Sequence, residues 1–127
     1  MRKLGSQVIF SPSDLNRFME SEFASWMDRY NREVGSLPPD PESPEKKVIY
    51  ESGDAHEKKY LSHLQSQTPK VTVIDKDRLK FPEAHAETAK AIQSRAPVIY
   101  QAALKSASGD FQGYADFLEL NGKAYTV

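Results

Sequence analysis

An α+β fold, with helices packed on a small antiparallel or mixed sheet, is predicted by three features of this sequence. Apolar residues recur at helical spacing from Leu15 to Tyr30. Runs rich in β-branched and aromatic residues gather toward the C-terminus, from Val98 to Leu104 and from Phe111 to Leu120. Asn121-Gly122 then marks a hairpin into a last strand at 123–127. The 127 residues suffice for one modest domain with a real core. A hydrophobic fraction of 39% and a charged fraction of 28% fit a globular chain, which argues against disorder.

The elements follow in order. Gln7 to Phe10 reads as a short strand or an extended lead-in. Ser11-Pro12-Ser13-Asp14 starts a helix: Ser11 caps, Pro12 suits the first helical position and Asp14 puts a carboxylate in the first turn. Leu15, Phe18, Met19, Phe23, Trp26 and Tyr30 then form one stripe, expected to be core. Residues 35–47 are proline-rich and acidic and read as a surface loop. A second helix is expected from Gly53-Asp54 to Gln67, with His56, Tyr60 and Leu64 on its inward stripe and Glu57 on the flank. Val71 to Ile74 is a strand. Pro82 and Glu83 open a third helix, Arg95 lies in its last turn and Pro97 ends it.

Phe111 to Leu120 organises the rest. Along a strand, side chains alternate faces, so Tyr114, Asp116, Leu118 and Leu120 share one side. Both faces are largely apolar, which predicts a central strand with Asp116 in a row of apolar neighbours. A carboxylate in that setting needs a partner, a hydrogen bond or a metal ion, or else it caps backbone at a strand end. Gly113 leaves room for another group to approach the strand. His56, in turn, is open to a structural or a ligand role.

Other features exclude whole classes. With no cysteine, the chain holds no disulfide, thiolate metal site or iron–sulfur cluster of its own. A net charge of −1 announces no global nucleic-acid field. No leader or membrane-length apolar run is visible, so a cytoplasmic location and no membrane partner are expected.

Four segments together resemble the RecB-like nucleases of the PD-(D/E)XK superfamily, in particular the RecB-family nuclease domain often fused to a helicase. They are Ser13-Asp14-Leu15 with its aromatic helix, Gly53-Asp-Ala-His56-Glu57-Lys-Lys-Tyr60-Leu61, Ala96-Pro-Val-Ile-Tyr100-Gln101-Ala102-Ala-Leu104, and Phe111-Gln-Gly113-Tyr-Ala115-Asp116-Phe117-Leu118. They span nearly the whole chain in the family's order. The resemblance implies an incomplete restriction-endonuclease-like core and a single partial domain over 1–127. It implies a metal-dependent DNA nuclease, with His56 and Asp116 as ligands to Mg2+ or Mn2+. Glu57 joins these two as a candidate catalytic residue. Such a cation would polarise the phosphoryl oxygen and activate a water. DNA, and a helicase domain or subunit, are the implied partners.

Two departures stand beside the resemblance. The family motif continues with an acidic residue, any residue and a lysine, but Thr126-Val127 ends the sequence where that pair is expected. Lys123 has Asn121, not an acid, two positions before it. The later helix, with its glutamine and tyrosine, is missing too. Many relatives carry cluster-binding cysteines, whereas Ser21 stands where the first would fall. The expectation is a nuclease fragment that is inactive by itself. The alternative is a non-enzymatic module that keeps the scaffold to bind nucleic acid or protein.

Overall fold

A computed structural model describes the chain except for residues 36, 39, 40, 42, 68 and 69. The fold is α+β. Contacts divide it into two compact units, Met1–Pro41 with Lys105–Gly113, and Glu42–Leu104 with Tyr114–Val127.

The first unit opens with a hairpin of Arg2–Leu4 (β1) and Gln7–Ile9 (β2), paired antiparallel from Arg2↔Ile9 to Leu4↔Gln7. Its turn places Gly5 at φ 62°, a left-handed conformation that glycine adopts without steric cost. Phe10 continues β2 and bridges Phe111 in parallel. Its N–H donates to the Asp110 carbonyl at 2.7 Å, and its own carbonyl accepts from the Gln112 N–H at 2.8 Å.

Pro12–Glu20 (α1) follows, and the Asp14 carboxylate accepts from the Ser11 backbone N–H at 2.7 Å. Gly113 sits against the start of this helix. A Cβ at that position would lie 2.8 Å from Pro12 Cδ and 2.9 Å from Cγ. The space expected beside the strand at Gly113 is therefore taken by the Pro12 ring.

The single helix expected from Ser11 through Tyr30 is two. Ser21 is extended, at φ −162° and ψ 111°, and ends α1. Its hydroxyl then accepts from the Ala24 N–H at 3.2 Å and so caps Glu22–Val34 (α2). Arg17 pairs with Asp28 at 3.2 Å. Gly35, at φ 68°, closes α2.

The aromatic stripe on these helices is not core. No described residue of α1 or α2 is buried, and Met19, Phe23 and Trp26 are 78%, 71% and 58% exposed. Phe23, Trp26 and Tyr30 stack in series at ring separations of 6.3 and 5.4 Å, so they shield mainly one another. Helical spacing gathers side chains on one face, but burial needs a second apolar surface opposite, and spacing alone does not supply one.

The second unit begins with Pro44–Gln67 (α3). Residues 44–47, read from sequence as the end of a loop, belong to this helix; the rest of that loop reading falls partly on 36, 39, 40 and 42, outside the described residues. A four-stranded mixed sheet then forms in the order β3-β4-β5-β6, from Val71–Val73 (β3), Val98–Lys105 (β4), Gln112–Asn121 (β5) and Ala124–Thr126 (β6). β3 and β4 run parallel, from Val71↔Val98 to Val73↔Tyr100, joined through Phe81–Gln93 (α4). β5 and β6 are antiparallel across the predicted Asn121-Gly122 turn, with Gly122 at φ 63°.

The core is small-residue packing of α4 on the sheet: Ala84 and Ala91 against Ile74, Ile99, Ala102, Ala103 and Leu118. Thr88 stitches helix to strand. Its hydroxyl donates to the Ala84 carbonyl and accepts from the Ala103 N–H, both at 2.9 Å. His85 Nδ1 lies 2.9 Å from the Ala103 carbonyl. Arg95 falls beyond the end of α4, at φ 55°, and donates to the Gly122 carbonyl at 2.8 Å. On β5, Phe117 meets Tyr60 of α3 edge-on at 4.9 Å while Leu118 joins the α4 cluster. Successive strand residues face opposite sides, so α3 and α4 cover opposite faces of the sheet. Among the described residues, no helix is long and apolar enough to cross a membrane.

Candidate functional site

α3 begins at Pro44, so His56 stands twelve residues into it rather than in its first turn. At a rise of about 1.5 Å per residue, that is ~18 Å from the helix N-terminus, out of reach of its dipole. The inward stripe is also one position on from the expected one. Glu57 and Leu61 are half-buried and Leu64 is buried, whereas His56 and Tyr60 are exposed. A one-residue offset turns a helix by about 100°, enough to exchange His56 for Glu57 on the sheet-facing side. His56 makes no hydrogen bond or ion pair among the described residues. Tyr60 turns its hydroxyl to Glu119 Oε1, at 3.0 Å. That hydrogen bond, with the nearby negative charge, raises the Tyr60 pKa.

Glu57 is the α3 acid that meets β4. Its Oε1 accepts from the Tyr100 hydroxyl at 2.6 Å and from Gln101 Nε2. The same Gln101 nitrogen donates to Asp116 Oδ1 at 3.2 Å. Two carboxylates, from a helix and from β5, thus share one amide from β4. Asp116 is exposed, not sunk in an apolar row as the strand pattern predicts. Its flanks on the chain, Ala115 and Phe117, are half-buried, and Leu118 is buried.

Gln101 carries the unusual geometry. β4 leaves its parallel partner at Tyr100, and the next residue takes φ 58°, in the left-handed region. A glutamine there is strained by about 1–3 kcal/mol, and such strain gathers at functional sites. The kink explains how two consecutive residues, Tyr100 and Gln101, both reach Glu57 when regular strand alternation would part them. Gln101 is only 2% exposed, and its Oε1 is buried without a hydrogen-bond partner. The orientation of the amide follows from charge: its nitrogen faces two acids, where its oxygen would be repelled.

Tyr100 is pushed up to about 12, first by burial and then by its hydrogen bond to Glu57. It remains a donor across the physiological range. Tyr100 also packs on Phe117 at 5.2 Å, which makes an aromatic wall beside the acids.

Among the described residues, no group of three or more His, Asp or Glu side chains is arranged to hold a metal ion. The pair Glu57 and Asp116 nonetheless suits a hard cation. Mg2+ needs only one or two protein carboxylates when waters and a phosphate complete its shell. One oxygen of each acid is engaged by Gln101, while Glu57 Oε2 and Asp116 Oδ2 make no hydrogen bond among the described residues.

The sequence singled out Asp116 and the His56-Glu57 pair. The structure brings Glu57 and Asp116 to a common point and gives His56 no partner there. Tyr100 and Gln101 lie in a matched segment, but their sequence positions alone assign them no role. A signal was present: Gln101 is the one amide in an otherwise apolar run from Val98 to Leu104. Of the basic residues near the matched segments, Arg17 and Arg95 are taken by Asp28 and Gly122, while Lys58 and Lys59 lie exposed on α3. No family model, curated protein or solved structure matches this chain.

Proposed function

We propose that this chain is part of a metal-dependent DNA nuclease and carries the first half of its cation site, with Glu57 and Asp116 as the acids. The observation that supports this most is their convergence on the strained, buried Gln101 amide. A divalent cation such as Mg2+ or Mn2+, when bound, would polarise a phosphoryl oxygen and lower the pKa of a water. The chain's own residues do the rest. Glu57 and Asp116 supply hard oxygen donors, and Tyr100 and Gln101 orient them. His56, one residue before Glu57, is the imidazole that the RecB-like resemblance assigns to the same cation. Exposed Lys58 and Lys59 offer charge to a DNA backbone.

Two acids without the acidic-x-Lys pair make an incomplete centre. This chain alone is therefore expected to bind Mn2+ weakly and to leave nicked or single-stranded DNA uncut above a His56→Ala control. Calorimetric titration with MnCl2 and a gel-based cleavage assay check both points. Mn2+ binding unchanged in Glu57→Gln and Asp116→Asn would refute the site assignment.

A second reading, a non-enzymatic module that binds nucleic acid or protein, is favoured by the exposed Phe23, Trp26 and Tyr30 stack. It predicts binding of a single-stranded oligonucleotide or a protein without Mn2+, lost in Trp26→Ala and kept in Asp116→Asn.

A further inference from the structure

We infer that Gln101 is the positioning residue of this site: its amide clamps one oxygen of Glu57 and one of Asp116 so that the other two face a single divalent cation. The inference rests on the metal-site reading above and names the residue that makes it workable.

Two like charges drift apart unless something between them is attractive. Here the attractive group is one NH2, donating to Glu57 Oε1 and to Asp116 Oδ1. The clamp leaves Oε2 and Oδ2 unengaged. Oxygen donors held by a neighbouring hydrogen bond are the usual arrangement around a bound metal, where such partners fix ligand orientation.

Gln101 fills this role at evident cost. A left-handed backbone is unfavourable for a glutamine. A buried amide oxygen with no donor is unfavourable as well. An apolar residue of the same length would avoid the second cost. Local rules broken without a structural gain mark functional positions. The gain visible here is the bridge between the acids.

The test measures Mn2+ affinity by calorimetry on the full chain, for wild type, Glu57→Gln, Asp116→Asn and Gln101→Met. A positioning role predicts that Gln101→Met loses about tenfold or more in affinity, as loss of a ligand-orienting partner does. Its metal-free melting temperature should stay near that of wild type. A side-chain amide signal, assigned to Gln101 by NMR, should also shift during a Mg2+ titration, with the midpoint of a calorimetric Mg2+ titration run on the same sample. This second readout stands even if Gln101→Met fails to fold.

Wild-type binding that depends on Glu57 and Asp116 but is unchanged in Gln101→Met overturns the positioning role alone. So does a Gln101 amide signal that ignores Mg2+. No wild-type Mn2+ binding, or binding indifferent to both acids, overturns the metal-site reading and this inference with it.

Discussion

Tyr100 and Gln101, neighbours on β4, both donate to the same carboxylate oxygen of Glu57. In a regular strand they would point to opposite faces. The left-handed turn at Gln101 brings them to one side, and the same turn lets the amide reach Asp116. Glu57 thus ties α3 to β4, and its neighbour His56 does not.

That contrast gives a direct stability prediction. Glu57→Ala removes the acceptor of the Tyr100 hydroxyl and one acceptor of a buried amide. It should cost about 2 kcal/mol, the scale of a lost hydrogen bond to a charged group. His56→Ala removes an exposed side chain without a partner and should stay within about 0.5 kcal/mol of wild type. Urea unfolding of the two variants compares them; equal losses would contradict the assignment of Glu57 as the inward residue.

Alkaline stability should carry the mark of Tyr100. Its pKa rises from 10.0 to about 12, through burial first and the bond to Glu57 second. Between those values the folded chain keeps a proton that the unfolded chain releases. The contribution is therefore complete below pH 10.0 and lost as pH rises through about 12. Wild type should lose stability over this window more steeply than Tyr100→Phe, measured as urea midpoints at a series of pH values. Parallel slopes would show that Tyr100 ionises alike in both states.

Gly113→Ala tests the approach of α1. The added methyl would meet Pro12 Cδ at 2.8 Å, closer than carbon atoms pack, so ring or strand must shift. Overpacking of this kind costs about 1–3 kcal/mol. Loss of the near-ultraviolet aromatic signal at lower temperature than wild type would report it. Serine at the same position should behave like alanine, because the clash begins at Cβ.

Thr88→Val keeps shape and removes one oxygen. The Ala103 N–H then loses its acceptor in a buried setting. The expected penalty is about 1–3 kcal/mol, the cost of an unmet buried donor. Hydrogen exchange at the Ala103 amide should accelerate more than at Ile99, which lies in the stretch paired with β3.

Local chemistry determined a good deal of this fold by itself. Proline at Pro12 and Pro82 and glycine at Gly122 act through their own backbone, so their effects are readable without partners. The strands at 71–73, 98–105 and 112–121 follow from β-branched and aromatic content in the same way. Tertiary structure decided what depends on two segments at once. Whether the Leu15 to Tyr30 stripe is buried depends on an opposing surface, and the stripe stays exposed. Which of two adjacent residues faces the sheet depends on how α3 is rotated against it, and Glu57 is the one turned inward. The left-handed turn at Gln101, which a glutamine resists on its own, falls one residue past the Val73↔Tyr100 pair and is held in the tertiary structure by the amide's bonds to Glu57 and Asp116. That is why Asp116 was legible as an acid on a strand, and why its exposure and the amide it shares with Glu57 were not.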